Sequence, residues 1–224
     1  MSYGEKDQAI GRGIYDRGYR FPIVYDVGGS NGSWVNIMSK VLPGSRFELF
    51  EPLAEIHPKY KEILVYLKHV YRESYMHPVA IGEKDGKIRI NVYDDPSAST
   101  TLSIAAPAGT QSVEVPMRSI DSIVASGMCA PPDLIKIDIQ GGELAALKGA
   151  ANTLKNVKFL MLETWLQRGY GKETPLLHEL MEFLVPHGFM PYEFGDDFRS
   201  ASGEQVSVDV WFINKAHAKN PAAF

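Results

Sequence analysis

The sequence predicts an α/β fold built on a doubly wound, mostly parallel sheet of six or seven strands. Short runs rich in valine, isoleucine and phenylalanine alternate with longer stretches of helical apolar spacing, which is typical of β-α-β units. Acidic residues stand at the ends of several predicted strands, and ligands bind at the carboxyl ends of the strands in such sheets. The 224 residues are enough for one fairly large domain of this class.

Three apolar runs bounded by turn residues predict the first strands: "PIVYDV", "RFELFEP" and "HPVAIG". Two stretches between them have the apolar spacing of helices: "GSWVNIMSKVL" and "EIHPKYKEILVYLKHVY". Two β-like runs, "KIRINVY" and "QSVEVPM", then flank the polar segment "DDPSASTTLS". This pattern predicts an inserted antiparallel β excursion within residues 87–118.

The second half of the chain predicts two more interior strands and a terminal pair of strands. The interior strands are "DLIKIDI" and "KFLMLETW", separated by the helical stretch "GGELAALKGAANTLKN". A last helix, "PLLHELMEFLVPHG", precedes "FMPYEF" and "VSVDVWFIN", which we expect to form an antiparallel pair. We expect an N-terminal arm at residues 1–20, a single domain at 21–215 and a loose tail at 216–224.

The composition narrows the class of partner. A formal charge of -4 and a pI near 5.9, without a run of lysine or arginine, argue against a nucleic-acid partner. The single cysteine, Cys129, cannot form an intramolecular disulfide, which favours a reducing compartment. The N-terminal stretch has no apolar leader core, and no later run has the length of a membrane span. We therefore expect a cytoplasmic protein with a small-molecule substrate and no membrane partner.

The stretch "VYDVGGSNGSW" puts a carboxylate and a glycine-rich bend at the end of the first strand. This position commonly binds a dinucleotide or S-adenosylmethionine, but the dinucleotide pattern G-x-G-x-x-G fails here at Ser30 and Ser33. Asp26 would repel a pyrophosphate and attract an ammonium or sulfonium group, by roughly 4 kcal/mol for unit charges about 4 Å apart at an effective dielectric of about 20. Glu51, at the end of the second strand, suits the ribose hydroxyls of either ligand. The alternative is that Asp26 caps a turn and Glu51 is a solvated strand end.

Taken together, several segments resemble the FkbM-type family of S-adenosylmethionine-dependent methyltransferases, and the likeness covers residues 21–214. They are "VYDVGGSNGSW", "FELFEP", "LIKIDIQGGELAALKGA" and the closing "HGFMPYEF" with "VDVWFI", of which the third is the most specific. The resemblance implies a seven-stranded Rossmann-like methyltransferase sheet with S-adenosylmethionine as the cofactor. It also implies O-methylation of a hydroxyl group, often on a sugar or a secondary metabolite.

The resemblance further implies a set of cofactor-binding residues, with the adenine near Ala80. The residues that we expect at the cofactor are Asp26, Gly28, Gly29, Asn31, Gly32, Ser33, Glu51, Pro52, Ala80 and Asp138. In the third segment many family members carry glutamate where this chain has Gln140, and others carry glutamine. Because an amide neither acts as a base nor brings charge to a metal, we do not expect an acid-base role for this residue.

Methyl transfer to an alcohol needs an aligned acceptor oxygen and a base for its proton. Asp138, at the end of the fourth predicted strand, is our first choice of base, and Glu143 and Glu163 are the other catalytic candidates. Asp138 and Glu163 could instead bind one Mg²⁺, which prefers a few carboxylates plus water. The alternative role for Glu143 is a helix N-terminal residue that interacts with the dipole, and for Glu163 a structural partner of a backbone loop.

Other polar residues give weaker signals. Among the scattered histidines, His57 is the one that we would test as an alternative base, and for the others we expect surface or packing roles. The segment "SASTT" at 97–101 and the tyrosines Tyr15 and Tyr19 could line the acceptor pocket, or be a polar loop and a packed arm. Two other functions stay open: a non-catalytic module that binds the cofactor or a nucleoside, and an oxidoreductase. The sequence leaves the methyl acceptor and the oligomeric state open.

Overall fold

The structure, a computed structural model, describes residues 4–60, 74–93, 99 and 110–224. The strands are β1 Ile23–Val27, β2 Arg46–Phe50, β3 Ser74–His77, β4 Ala80–Ile81, β5 Gly86–Val92, β6 Gln111–Arg118, β7 Leu134–Ile137, β8 Phe159–Trp165, β9 Phe189–Arg199 and β10 Gln205–Asn214. The α-helices are α1 Glu5–Asp16, α2 Ser33–Met38, α3 Ile120–Ala125, α4 Glu143–Lys148 and α5 Leu177–Leu184. Short 3₁₀ helices lie at Thr153–Lys155, Lys215–His217 and Pro221–Ala223.

Seven strands form the main sheet, in the order β3-β2-β1-β7-β8-β10-β9. The pairs from β3 to β8 are parallel, and β10 runs antiparallel to both β8 and β9. The predicted mostly parallel, seven-stranded sheet with an antiparallel terminal pair is therefore confirmed. The strand order reverses between β1 and β7, so the carboxyl ends of these two strands form the crevice at which such sheets bind ligands.

Apolar side chains cover both faces of the sheet, as the nearly unbroken apolar runs of its interior strands require. One face carries Tyr25, Ile135 and Leu160 in a core shared with α4 and α5. The other carries Val24 and Phe159 in a core shared with α1 and α2. Because successive strand residues point to opposite faces, neighbouring residues of one strand enter different cores.

The predicted third strand, "HPVAIG", is wrong as a single element of the main sheet. The main-sheet strand β3 ends at His77, and Ala80–Ile81 instead pairs with β6 in a second sheet of order β4-β6-β5. The break falls at Pro78, which has no N–H to donate to a strand ladder. The chain turns here, and the Val79 N–H donates to the carbonyl of His77 at 2.9 Å.

The predicted β excursion is confirmed for its described parts, because β5 and β6 pair antiparallel from Gly86–Met117 to Val92–Gln111. The polar stretch between these strands lies outside the described residues apart from Ser99. The predicted helix "EIHPKYKEILVYLKHVY" lies outside them from residue 61 onward. The predicted helix at "GGELAALKGAANTLKN" is shorter than expected, because α4 ends at Lys148 and a turn leads into the 3₁₀ helix.

Both ends of the described chain contact the main sheet. Asp7 of α1 is buried and accepts a hydrogen bond from Trp211 Nε1 of β10 at 2.8 Å. Near the C-terminus, the Lys219 N–H donates to the Tyr19 hydroxyl at 3.0 Å. The division into arm, domain and tail stays a prediction. Within the described ranges, no helix combines the length and apolar character that crossing a bilayer requires.

Candidate active site

The glycine bend after β1 is held tightly against the end of β7. Gly28 has a φ of 81°, and a Cβ on this residue would lie 1.8 Å from the carbonyl oxygen of Asp138. Only glycine fits this close approach in the left-handed region. The bend continues through Ser30, at a φ of 43°, to Gly32, which precedes α2 with a φ of 70°. Asn31 accepts a hydrogen bond from the backbone N–H of Ser33 at 3.0 Å, which closes the turn.

Asp26 is fully buried beneath this bend and pairs with a lysine that the sequence did not single out. Its Oδ1 lies 3.0 Å from Lys136 Nζ of β7. The same ammonium donates to the Gly28 carbonyl at 3.0 Å and lies 3.4 Å from Asp138 Oδ2. Burial raises the pKa of Asp26, and Lys136 opposes that rise. Lys136, and not Asp26, belongs to the wall of the neighbouring cavity, so contact between Asp26 and the cofactor stays a prediction.

Glu51 joins the end of β2 to the glycine bend. Its Oε2 accepts from the Ser30 N–H at 3.1 Å, and its Oε1 accepts from the Leu53 N–H at 2.9 Å. Burial raises its pKa to about 7, although both backbone hydrogen bonds oppose the rise. Two backbone donors set the position of this buried carboxyl at the rim of the sheet, directly after β2. Glu51 is not among the residues that line the two neighbouring cavities, so its contact with the ribose stays a prediction.

An apolar cavity of about 240 Å³ opens beside this rim. Pro52 and Ala80, two of the predicted cofactor residues, line it together with Phe50, Met117 and Ile139. A largely apolar cleft with few polar groups suits a flat aromatic ring system such as a purine.

A second, polar cavity of about 330 Å³ lies on the other side of the β7 end. Its wall contains residues from the bend, from α2, from β7 and from β8: Gly28, Gly29, Ser30, Asn31, Ser33, Trp34, Lys136, Asp138, Gln140 and Glu163. Asp138 and Gln140 line both cavities, so the two spaces meet at these side chains. Most of the predicted cofactor residues thus line one or the other of two adjacent cavities.

Gln140 connects two of the three predicted catalytic carboxyls. Its Nε2 donates to Asp138 Oδ1 at 2.9 Å and to Glu163 Oε2 at 3.2 Å. The Tyr170 hydroxyl donates to Gln140 Oε1, which fixes which end of the amide faces the carboxyls. Gln140 holds this position with a φ of 57°, a left-handed conformation that is uncommon for residues other than glycine.

The two carboxyls differ in their surroundings. Burial and the nearby charge of Asp138 raise the pKa of Glu163 well above its usual range, which favours its protonated form. Asp138 is about a quarter exposed and contacts the Lys136 ammonium. Glu163 is therefore the carboxyl suited to hold a proton, and Asp138 is the carboxyl suited to be approached from the cavity.

These contacts do not fit the predicted Mg²⁺ site. The amide nitrogen of Gln140 lies between Asp138 and Glu163, where a shared cation would have to bind, and it is a donor that no cation accepts as a ligand. Within the described residues, the group of three potential metal ligands consists of Glu48, His77 and Cys129. None of these three lines either cavity.

The third catalytic candidate, Glu143, serves the loop before α4. Its Oε1 accepts from the backbone N–H groups of Ile139 and Gly141, each at 3.1 Å. The side chain is fully buried, burial raises its pKa to about 7, and it lines neither cavity. Glu143 is the first residue of α4, but its carboxyl binds the backbone of the preceding loop, which is the kind of role that we considered for Glu163, and it thereby positions Gln140.

The weaker histidine and tyrosine candidates lie apart from the cavity walls. His57 packs against Tyr60, with ring centroids 5.7 Å apart. Tyr19 packs on Phe159, and Tyr15 lies under the Arg20 guanidinium, so both belong to the packing of the N-terminal segment. Of the segment 97–101, the structure describes Ser99, which lines the apolar cavity.

Two further acids stand next to the site and were missed by the sequence analysis. Asp209 of β10 pairs in register with Glu163, and its carboxyl is hydrogen-bonded to that of Asp7. Burial and the neighbouring Asp7 raise the pKa of Asp209 well above its usual range. In the sequence, Asp209 could have been noticed as an acid inside the apolar run "VSVDVW". Lys136, which the sequence analysis also missed, could have been noticed as a lysine inside the apolar run "LIKI".

Comparison with known proteins agrees with this architecture. Residues 26–193 match the model of the Methyltransferase FkbM domain. A segment of 86 residues is 29% identical to Hexuronic acid methyltransferase AglP of Haloferax volcanii, covering 38% of this chain and 35% of the relative. The chain thus spans about a third of the length of that curated relative.

Two solved structures share the fold. Methyltransferase FkbM from Methylobacillus flagellatus KT superposes with a TM-score of 0.56 at 20% identity, covering 90% of this chain and 47% of that one. Magnesium protoporphyrin IX methyltransferase from Synechocystis PCC 6803, solved with bound S-adenosylmethionine, superposes with a TM-score of 0.52 at 10% identity. That superposition covers 93% of this chain and 80% of the other.

Proposed function

The chain belongs to the FkbM methyltransferase family, and on this premise we propose that it is an S-adenosylmethionine-dependent O-methyltransferase acting on a sugar hydroxyl. One observation carries the proposal: an apolar and a polar cavity meet at Asp138 and Gln140, beside the glycine bend and the Glu51 rim. A sugar acceptor is supported by the short match to the hexuronic acid methyltransferase.

The cofactor would divide between the two cavities. The adenine suits the apolar cavity lined by Phe50, Pro52 and Ala80, with the ribose at Glu51. The methionine part would lie in the polar cavity, next to the bend and the Lys136 ammonium. This orientation brings the sulfonium methyl to the carboxyl ends of β7 and β8. S-adenosylmethionine supplies the activated methyl group when it is bound.

The acceptor hydroxyl would approach from the side of Asp138 and Glu163. Transfer needs the acceptor oxygen in line with the methyl carbon and the sulfur, so positioning supplies much of the acceleration. Asp138 takes the hydroxyl proton as the new bond forms, since it is the carboxyl at the junction of the cavities. Glu163, whose surroundings favour the protonated form, would offer a hydrogen bond to an acceptor oxygen, while Gln140 holds both carboxyls in place.

Isothermal titration calorimetry with S-adenosylmethionine tests the proposal most directly. We expect saturable binding by the wild type, no binding of NAD⁺, and affinity lowered about tenfold by Glu51→Ala, since a hydrogen bond to a charged group contributes about 1.5 kcal/mol. Asp138→Asn should keep cofactor binding and lose methyl transfer to glycosides. A folded protein that shows no heat at millimolar cofactor would contradict the proposal.

A further inference from the structure

We infer that the edge of the main sheet at β2 and β3 contains a Zn²⁺ site made by Glu48, His77 and Cys129. Glu48 lies in β2, His77 is the last residue of β3, and Cys129 lies in the loop between α3 and β7. A carboxylate oxygen, an imidazole nitrogen and the thiol sulfur from these three residues all lie within 4.8 Å of one another. None of the three lines either cavity, so the site is separate from the proposed methyl transfer and goes beyond it.

The distances between these atoms are close to those between the ligands of a tetrahedral zinc ion. His77 Nε2 lies 3.5 Å from Cys129 Sγ and 2.8 Å from Glu48 Oε2. Zinc bonds of about 2.3 Å to sulfur and about 2.0 Å to nitrogen, at a tetrahedral angle, place those two ligand atoms about 3.5 Å apart. The separation between the nitrogen and the carboxylate oxygen would widen by roughly 0.5 Å as the ion replaces the proton between them.

The residue types and their charges also suit zinc, which binds thiolate, imidazole and carboxylate groups. Glu48 is fully buried and Cys129 is nearly so, and an isolated negative charge in such a place is costly. Burial first, and then the charge of Glu48, raise the pKa of the Cys129 thiol to about 12, so the thiol keeps its proton when no ion is bound. A bound dication displaces that proton, and the thiolate and the carboxylate together then balance its two charges.

Neighbouring side chains orient two of the three ligands, as outer partners do in metal sites. The Arg46 guanidinium lies 2.5 Å from Glu48 Oε1, so it pairs with the carboxylate oxygen that the ion does not need. The Phe50 ring stacks on the His77 ring, with centroids 5.1 Å apart and an interplanar angle of 24°. The carboxylate and the imidazole are therefore held in place before an ion binds, which lowers the entropic cost of binding.

The site is open to solvent on one side. The side chains of His77 and Arg46 are 17% and 40% exposed, whereas Glu48 and Cys129 are buried. An ion can therefore enter along the His77 edge, and a water molecule can supply the fourth ligand there. Because Phe50 also lines the apolar cavity, the ion would stiffen the strand edge behind the expected position of the adenine.

Titration of the metal-free, reduced protein with Co²⁺, without an affinity tag, tests the site, because Co²⁺ accepts the ligands of zinc and absorbs light. We expect one Co²⁺ per chain, with the visible bands of tetrahedral coordination and an intense thiolate-to-cobalt band in the near ultraviolet. Both should disappear when Zn²⁺ is added. Cys129 is the single cysteine of the chain, so a thiolate band can have no other source.

A matched pair of histidine variants identifies the imidazole ligand. His77 and His187 both stack on a phenylalanine ring, at interplanar angles of 24° and 22°. His77→Gln removes a ligand and should weaken Zn²⁺ binding by about a hundredfold or more, whereas His187→Gln should leave the affinity unchanged. Cys129→Ser should abolish the thiolate band. Circular dichroism of each variant checks that it is folded.

A wild-type spectrum that lacks the thiolate band in excess Co²⁺ would overturn the inference, whether or not the variants fold. Equal Zn²⁺ affinity in folded His77→Gln and His187→Gln proteins would also overturn the three-ligand site. The cluster would then serve to pair the buried Glu48 carboxylate with Arg46 and His77. Binding of S-adenosylmethionine is measured separately on the metal-free protein, so neither result decides the proposed function.

Discussion

Lys136 Nζ lies 3.0 Å from Asp26 Oδ1, and neither side chain is more than 4% exposed. The pair joins β1 to β7 directly beneath the glycine bend, with the ammonium also donating to the Gly28 carbonyl. A buried ion pair adds little net stability over an apolar pair, but removing one partner leaves an uncompensated buried charge. Lys136 therefore contacts both the buried Asp26 carboxylate and the backbone of the glycine bend, so losing its charge should affect both.

Replacing this lysine should destabilise the protein strongly. We expect Lys136→Met to lower the free energy of unfolding by about 3 kcal/mol, because Asp26 then has to be buried unpaired or protonated. Lys158→Met is the matched control, since Lys158 pairs with Asp133 at 2.7 Å but both side chains are partly exposed. The control should lose less than about 1 kcal/mol in the same denaturant titration. Equal losses in the two variants would contradict a special role for the buried pair.

The bend itself can be tested with two glycines that have the same backbone conformation. Gly28 and Gly44 both have a φ of 81°, but a Cβ would clash with the Asp138 carbonyl only at Gly28, and it meets nothing within 4 Å at Gly44. Gly44→Ala should cost about 1 kcal/mol from the left-handed conformation alone. Gly28→Ala should cost several times more or displace the β7 end, and so abolish cofactor binding. Thermal melts and calorimetry of both variants check this, and retained cofactor affinity in Gly28→Ala would refute it.

The raised pKa values of Glu51 and Glu143 predict how stability depends on pH. Each carboxyl holds its proton in the folded state up to about pH 7 but ionises near 4.5 in the unfolded chain. Between these values the folded state binds more protons, so stability is full below 4.5 and falls as the pH rises toward 7. Glu143→Gln keeps an acceptor for the loop N–H groups and removes this titration. Urea titrations across that range should show a decline smaller by up to about 3 kcal/mol in the variant. An unchanged decline would disprove the assignment.

The Gln140 amide that bridges Asp138 and Glu163 can also be tested. Gln140→Glu keeps the side-chain length and the left-handed backbone but replaces the donor between Asp138 and Glu163 with another carboxyl. We expect methyl transfer at neutral pH to fall by about a hundredfold, as for the loss of a group that positions the reacting atoms. Cofactor affinity should change by only a few-fold.

Tyr170→Phe provides the matched variant for this amide. It removes the hydroxyl that orients Gln140, and we expect about a tenfold decrease in kcat with little change in KM for the cofactor. A full-rate Gln140→Glu enzyme would show that the bridge has no part in transfer.

The sequence by itself determined the β-α-β order, the glycine bend after β1 and the placing of Glu51 and Asp138 directly after strands, with Glu163 inside β8 near its end. These features follow from apolar periodicity and turn residues, which act over a few residues of chain. The break at Pro78 was also present in the sequence, since proline has no N–H to donate to a strand ladder, but the apolar run around it hid the break.

Only the tertiary structure decided how the acids are used. Asp26 turns into the core because Lys136, more than a hundred residues later, lies on the neighbouring strand. Gln140 is a bridge because Asp138 and Glu163 approach it from two strands and Tyr170 approaches it from a loop. Such partnerships depend on which strands become neighbours and which faces they share, and no local pattern in the chain specifies either.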